Sequence, residues 1–208
     1  MCNSESATGE HVPPDCFFPS GHKLNLITVP SCSEHNLNKS KDDEYVRSII
    51  APSIGNNLFG LQMASTKVNR SFKHSTGLVA AVFKDAQLVK LADGTETGAV
   101  SVNLDRWNRF FEHLSNAIYF HDFRTTHPFQ WEIFTPNFKF AKPVLKEESD
   151  PFEEAKKKLL SIKFLEQQTS NPEIFRYFFF KHSSESYVYK YLFYENFVVS
   201  ALSKPGSI

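Results

Sequence analysis

The sequence predicts an α+β protein: a short strand–strand–helix module over residues 1–50, then an α+β region over 51–208 that ends in an aromatic-rich hairpin. Three observations predict it. Near the start, two brief apolar stretches separated by a Pro-rich loop precede a run of helix-forming residues. In the middle, Trp107, Phe110, Phe111, Leu114 and Ile118 recur at helical spacing. At the end, Ile174–Phe180 and Tyr187–Phe197 are dense in aromatic and β-branched residues, as strands are.

Taken in order, Gly9–Val12 reads as a short strand or turn, Pro13–Gly21 as a loop and Asn25–Val29 as a strand. A helix is expected from near Ser33 past Lys41 toward Ile50. Pro52 and Gly55–Asn57 mark a boundary. Val79, Val82 and Val89 suggest paired strands over Gly77–Leu91, turning around Lys84–Gln87. Asp93-Gly94 is a turn signal, and Ala99–Val102 a further strand. Asn103 is placed to cap a helix over Leu104–Phe120. Glu147–Asp150 reads as a solvated loop, and Asp150-Pro151 opens a helix expected to run to about Glu166. No internal repeat or low-complexity tract interrupts this order.

With 208 residues, 41% hydrophobic and 22% charged, the chain can build an ordinary globular core. Its formal net charge is zero. Small nucleic-acid binders are often basic, so any phosphate-binding surface must be local. No apolar run reaches the roughly 20 residues that span a bilayer. No basic-then-apolar leader opens the sequence, so no membrane partner and a cytoplasmic location are expected. Three cysteines are too few and too odd for a disulfide framework, leaving free thiols or metal ligands.

The chemistry concentrates in Glu10-His11, Asn25 and the run from Cys32 to Ser40. Hydrolysis of a phosphodiester needs a base for water, and a neutral imidazole serves near pH 7. It needs charge stabilisation at phosphorus and the leaving oxygen, which a divalent cation with open positions supplies. The imidazole must also be held in one tautomer by a partner on its second nitrogen. Glu10, His11, Asn25 and Asn36 offer one group for each task. Asn25 could instead terminate a strand, and Lys39, Asp42 and Asp43 could form a solvated helix face.

The strings "EHVPP", "NLITVPSC" and "EHNLNKSKDDEY", in that order, resemble the HNH (ββα-metal) endonuclease family over about residues 2–50. The resemblance implies that His11 is the general base, Glu10 a metal ligand, Asn25 the group orienting the base and Asn36 the second metal ligand. His35 adjoins Asn36; either could face the metal, and the resemblance favours Asn36. Lys39, one helical turn on, could meet a phosphate. The ligand set is hard and implies Mg²⁺ or Mn²⁺. Many members also hold a structural zinc on two Cys-x-x-Cys pairs. Cys32-x-x-His35 has the spacing of one pair, and Cys2 with Cys16 could supply the rest; no zinc is the alternative. The implied substrate is DNA, and small proteins of this type resemble parts of restriction or anti-phage systems. The competing expectation is a non-catalytic module in which a metal is structural and the C-terminal region docks a partner. The doubly aromatic hairpin predicts a contact with a second chain, in a homodimer or with a partner protein.

Overall fold

The computed structural model describes residues 8–31, 33–91, 93–126, 130–136, 138, 157, 159, 161–181, 183 and 186–204, with 33–38 and 204 described by backbone alone. Strands β1 (Thr8–His11) and β2 (Thr28–Ser31) form an antiparallel pair in which His11 stands opposite Thr28 and Glu10 opposite Val29. A 3₁₀ turn at Asp15–Phe17 lies between them. Helix α1 (Ser33–Ile50) follows at once. The strand–strand–helix order matches the expectation, but β2 begins three residues late: Asn25 sits exposed in a turn, with φ of 55°.

The next stretch departs from the reading of paired strands. Helix α2 (Leu58–Met63), a π-helical turn (Ala64–Val68), α3 (Asn69–His74) and α4 (Thr76–Phe83) fill residues 58–83. Ser75 caps α4 by accepting from the amide of Leu78, and Leu78 and Val82, one turn apart, are the buried pair. Six apolar residues in a row, Leu78–Phe83, fit a helix as well as a strand; the cap and the packing decide. A small ribbon, β3 (Gln87–Lys90) and β4 (Glu96–Ala99), turns at Asp93-Gly94 as expected, though β4 lies earlier than Ala99–Val102.

Helix α5 (Leu104–Phe123) begins where expected, with the Asn103 side chain accepting from the amide of Arg106. It lies on a five-stranded antiparallel sheet built from β5 (Gln130–Phe134), β6 (Leu165–Gln167), β7 (Phe175–Lys181), β8 (Tyr187–Phe193) and β9 (Phe197–Lys204), ordered β5-β9-β8-β7-β6. Alternation decides the faces. Phe175, Tyr177, Tyr189, Tyr191 and Phe193 are buried toward α5, while Arg176, Phe178, Lys190 and Leu192 take the other face and are half-buried. Polar tips on the buried rings find partners on the helix. Tyr191 donates to Ser115 (2.8 Å), and Tyr177 and Tyr189 donate to the two oxygens of Asp122 (2.8 and 2.9 Å). The loop expected at Glu147–Asp150 lies outside the described residues. The helix expected to reach Glu166 does not: Leu165–Gln167 pairs with β7 as an edge strand, its chain conformation set by that partner.

The strand expected to run unbroken to Phe197 turns at Tyr194–Asn196, with Tyr194 and Glu195 both left-handed at φ of 49° and 61°. The turn docks on the segment read as a boundary. Asn57 donates amide N–H to the carbonyl of Tyr194 (3.1 Å), and Asn196 donates to that of Ile54 (2.8 Å). Gly55, at φ of 88°, lies so close that a Cβ there would fall 2.9 Å from the Asn196 side chain. Buried residues from Val12 to Ala201 form one hydrophobic cluster, so residue 50 is no break in the packing.

Candidate functional site

The end of β1, the middle of α1 and one face of α5 enclose a cleft of about 150 Å³. β1 supplies Glu10 and His11, α1 supplies Lys39, Asp42 and Asp43, and α5 supplies Arg109 and His113 over an apolar floor of Phe110 and Leu114. Three of the residues singled out in the sequence, Glu10, His11 and Lys39, therefore meet in one place. Lys39 forms an ion pair with Glu10, both side chains largely shielded from solvent.

His11 is fixed by its cross-strand neighbour. Its Nδ1 lies 3.1 Å from Thr28 Oγ1, and Thr28 in turn donates to the carbonyl of Leu26 (3.2 Å). A hydroxyl has one proton to give. With that proton on Leu26, Oγ1 accepts from Nδ1–H, which leaves Nε2 without a proton in the neutral ring. The side-chain contact to His11 that was expected of Asn25 is made instead by Thr28; no hydrogen bond joins Asn25 to His11, and Asn25 stands exposed in a turn with left-handed φ. The signal was in the register of the strand pair, which a sequence pattern of spaced residues does not carry.

Asp42 and Asp43 are not the solvated face that their sequence suggested. Asp42 receives Arg106 Nε (2.6 Å) and Arg109 Nη2 (3.1 Å) from α5. Arg106 also lies over the ring of Tyr45, 4.2 Å from its centroid. Asp43 is 9% exposed, and among the described residues no hydrogen bond or ion pair reaches its carboxylate. Burial pushes its pKa up to about 7; Lys39 pulls it down, while Glu10 and Asp42 push it further up. Below it, buried Arg47 donates to Ser71 (2.7 Å). Position 36 lies one turn before Lys39 on the α1 backbone, but the side chains of His35 and Asn36, like Cys2 and Cys32, lie outside the described residues. Of the four residues considered for zinc, only Cys16 has a described side chain; burial raises its thiol to about 12, so it is protonated at neutral pH. Among the described residues no three His, Cys, Asp or Glu side chains are grouped to hold a metal. Nor is any helix among them long and apolar enough to cross a membrane.

Arg109 and His113 carried no sequence signal, because nothing in their own spacing says that α5 faces residue 10. No family model, curated protein or solved structure matches this chain.

Proposed function

We propose that the cleft is the active site of a metal-dependent nuclease of the HNH type that hydrolyses phosphodiester bonds of DNA. The observation that carries the reading is the meeting of Glu10, Lys39 and His11, the last with its Nδ1 3.1 Å from Thr28 Oγ1. Glu10 and Asp43 fit a divalent cation. One lysine stands beside two shielded carboxylates: it pairs with Glu10, while Asp43, raised chiefly by burial and further by Glu10 and Asp42, has no ion pair among the described residues. Oxygen donors of this kind suit Mg²⁺ or Mn²⁺, with Asn36 the further ligand that the resemblance implies. A bound divalent ion supplies charge neutralisation at the phosphate and at the departing oxygen.

The chain's own groups do the rest. Nε2 of His11 takes a proton from the water that attacks phosphorus, and Thr28 keeps the ring aimed during that transfer. Lys39 and Arg109 offer positive charge to the phosphate oxygens, with Arg109 held at the rim by Asp42.

The test is cleavage of supercoiled plasmid by the pure protein with Mg²⁺ or Mn²⁺, wild type against His11→Ala. Wild type is expected to nick and linearise the plasmid. The variant should be slower by at least about 100-fold, with an unchanged melting temperature, because His11 is exposed and belongs to no core. Equal rates, or no cleavage by wild type with either metal, would overturn the proposal.

A further inference from the structure

The chain is neutral overall, but its charge is not evenly spread. From Tyr45 to Lys84, forty residues, there is no Asp or Glu, while Arg47, Lys67, Arg70, Lys73 and Lys84 are all present. The rest of the chain therefore carries a surplus of five acids. Two of the five cations are committed: Arg47 is buried on Ser71, and Lys67 donates to the carbonyl of Phe18 (2.7 Å). The other three, Arg70, Lys73 and Lys84, are exposed and have no ion-pair partner among the described residues, and exposed His74 joins them. Arg70, Lys73 and His74 stand at i, i+3 and i+4 and share one face of α3. Lys84 closes α4, which packs on both α3 and α1. Exposed Asn69 and Thr76 add neutral hydrogen-bonding groups between the charges.

Both committed cations tie this surface to the cleft. Arg47 lies one helical turn beyond Asp43 on α1 and holds Ser71 of α3. Lys67 holds the chain at Phe18, four residues past Pro14 of the cleft wall.

We infer that the exposed surface of α3 and α4 grips the phosphate backbone of a nucleic-acid duplex and presents it to the neighbouring cleft. The choice of nucleic acid among polyanions rests on the nuclease reading. An acid-free run with three unpaired cations is complementary to a regular row of phosphates, and neutralising phosphates releases counterions whatever the base sequence. Grip without sequence readout also explains how a chain of zero net charge holds a polyanion: the attraction is confined to one side, and the acid surplus elsewhere repels wrongly oriented encounters.

The test measures binding of the full chain to a fluorescent DNA duplex by anisotropy across a salt series, with EDTA present to prevent cleavage. The triple variant Arg70→Gln/Lys73→Gln/Lys84→Gln is compared with wild type and with Lys157→Gln/Lys163→Gln/Lys181→Gln, which removes three exposed cations elsewhere. The first variant is expected to bind about tenfold or more weakly, with a log–log salt slope shallower by about 2 to 3. The second should bind nearly as wild type does. Equal loss in both variants would reduce the effect to net charge and overturn the inference. So would wild-type protein that binds no duplex. A third overturning result is duplex binding untouched by the first variant while its binding to phosphatidylserine vesicles is lost, since exposed Leu58 and Leu61 on α2 would then mark a lipid surface. The two readings fail separately. Duplex binding through this surface without cleavage sinks the nuclease and leaves the grip. Cleavage and binding both indifferent to the first variant sink the grip and leave the nuclease.

Discussion

The orientation of His11 hangs on one hydroxyl, and that gives the cleft a sharp test. Thr28→Val keeps the shape of the side chain and removes the acceptor at Nδ1. Cleavage measured in single turnover should fall by about 10- to 100-fold with little change in DNA affinity, and Thr28→Ser should restore most of it. Full activity in the valine variant would mean that something else orients the ring. Asp43 offers a second test, because its titration is coupled to folding. Unfolded, it ionises near 3.8; folded, near 7. The folded state therefore holds a proton that the unfolded state releases, and stability is lost as pH rises from about 4 to 7. The loss is on the order of 2–4 kcal/mol. In Asp43→Asn that loss is absent, so melting temperatures between pH 4.5 and 7.5 should fall less than in wild type. If Asp43 also helps hold the metal, Mg²⁺ at pH 7.5 should raise the wild-type melting temperature more than the variant's. Glu10, His11 and Lys39 were legible in the sequence because their chemistry is local: an acid beside an imidazole, and a lysine on a helix that follows at once. The burial of Asp43 was not, since the cleft it lines is closed on the other side by α5, an element about seventy residues away.

Among the elements, α5 shapes the site most. Its inner face rests on the sheet, and its N-terminal half reaches across to α1 through Arg106. That guanidinium bonds Asp42, donates to the carbonyl of Lys41 (2.5 Å) and covers the Tyr45 ring. Tyr45 closes the contact by accepting the amide N–H of Asn103 (2.9 Å). Arg106→Ala strips a half-buried carboxylate of one of its two partners and should cost about 2 kcal/mol in urea unfolding. Arg106→Lys should recover part of this, because an ammonium cannot fork between a carboxylate and a carbonyl. A cost under about 0.5 kcal/mol would show that Arg109 suffices for Asp42. This helix was readable in the sequence: a strong apolar stripe and an Asn cap point the same way. Helix α4 and strand β6 were not readable, for opposite reasons. Thr76–Phe83 is apolar enough to satisfy either period, so only Ser75 and the buried pair Leu78 and Val82 settle it. Leu165–Gln167 has weak local preference and takes its conformation from β7.

At the scale of the whole molecule, the strand–strand–helix segment leans on the far end of the chain. Phe17, fully buried, packs on Phe110 of α5 and Phe193 of β8, and its carbonyl accepts the hydroxyl of Tyr194 (2.8 Å). The isolated fragment 1–50 is therefore expected to lack fixed structure by circular dichroism and to be inactive on plasmid even with Mn²⁺. A folded, active fragment would show that the core continuing to Ala201 is dispensable. The bond from Tyr194 to Phe17 spans 177 residues and has a meaning in time as well as in space. The ribosome releases residue 17 long before residue 194, so the Phe17 carbonyl waits for this partner. The wall that Phe17 helps to build behind His11 and Asp15 is finished only once residue 194 has been made, so a chain grown no further carries Glu10 and His11 without that support. On the nuclease reading proposed above, the late arrival of residue 194 acts as a safety catch: cutting waits until that wall is in place.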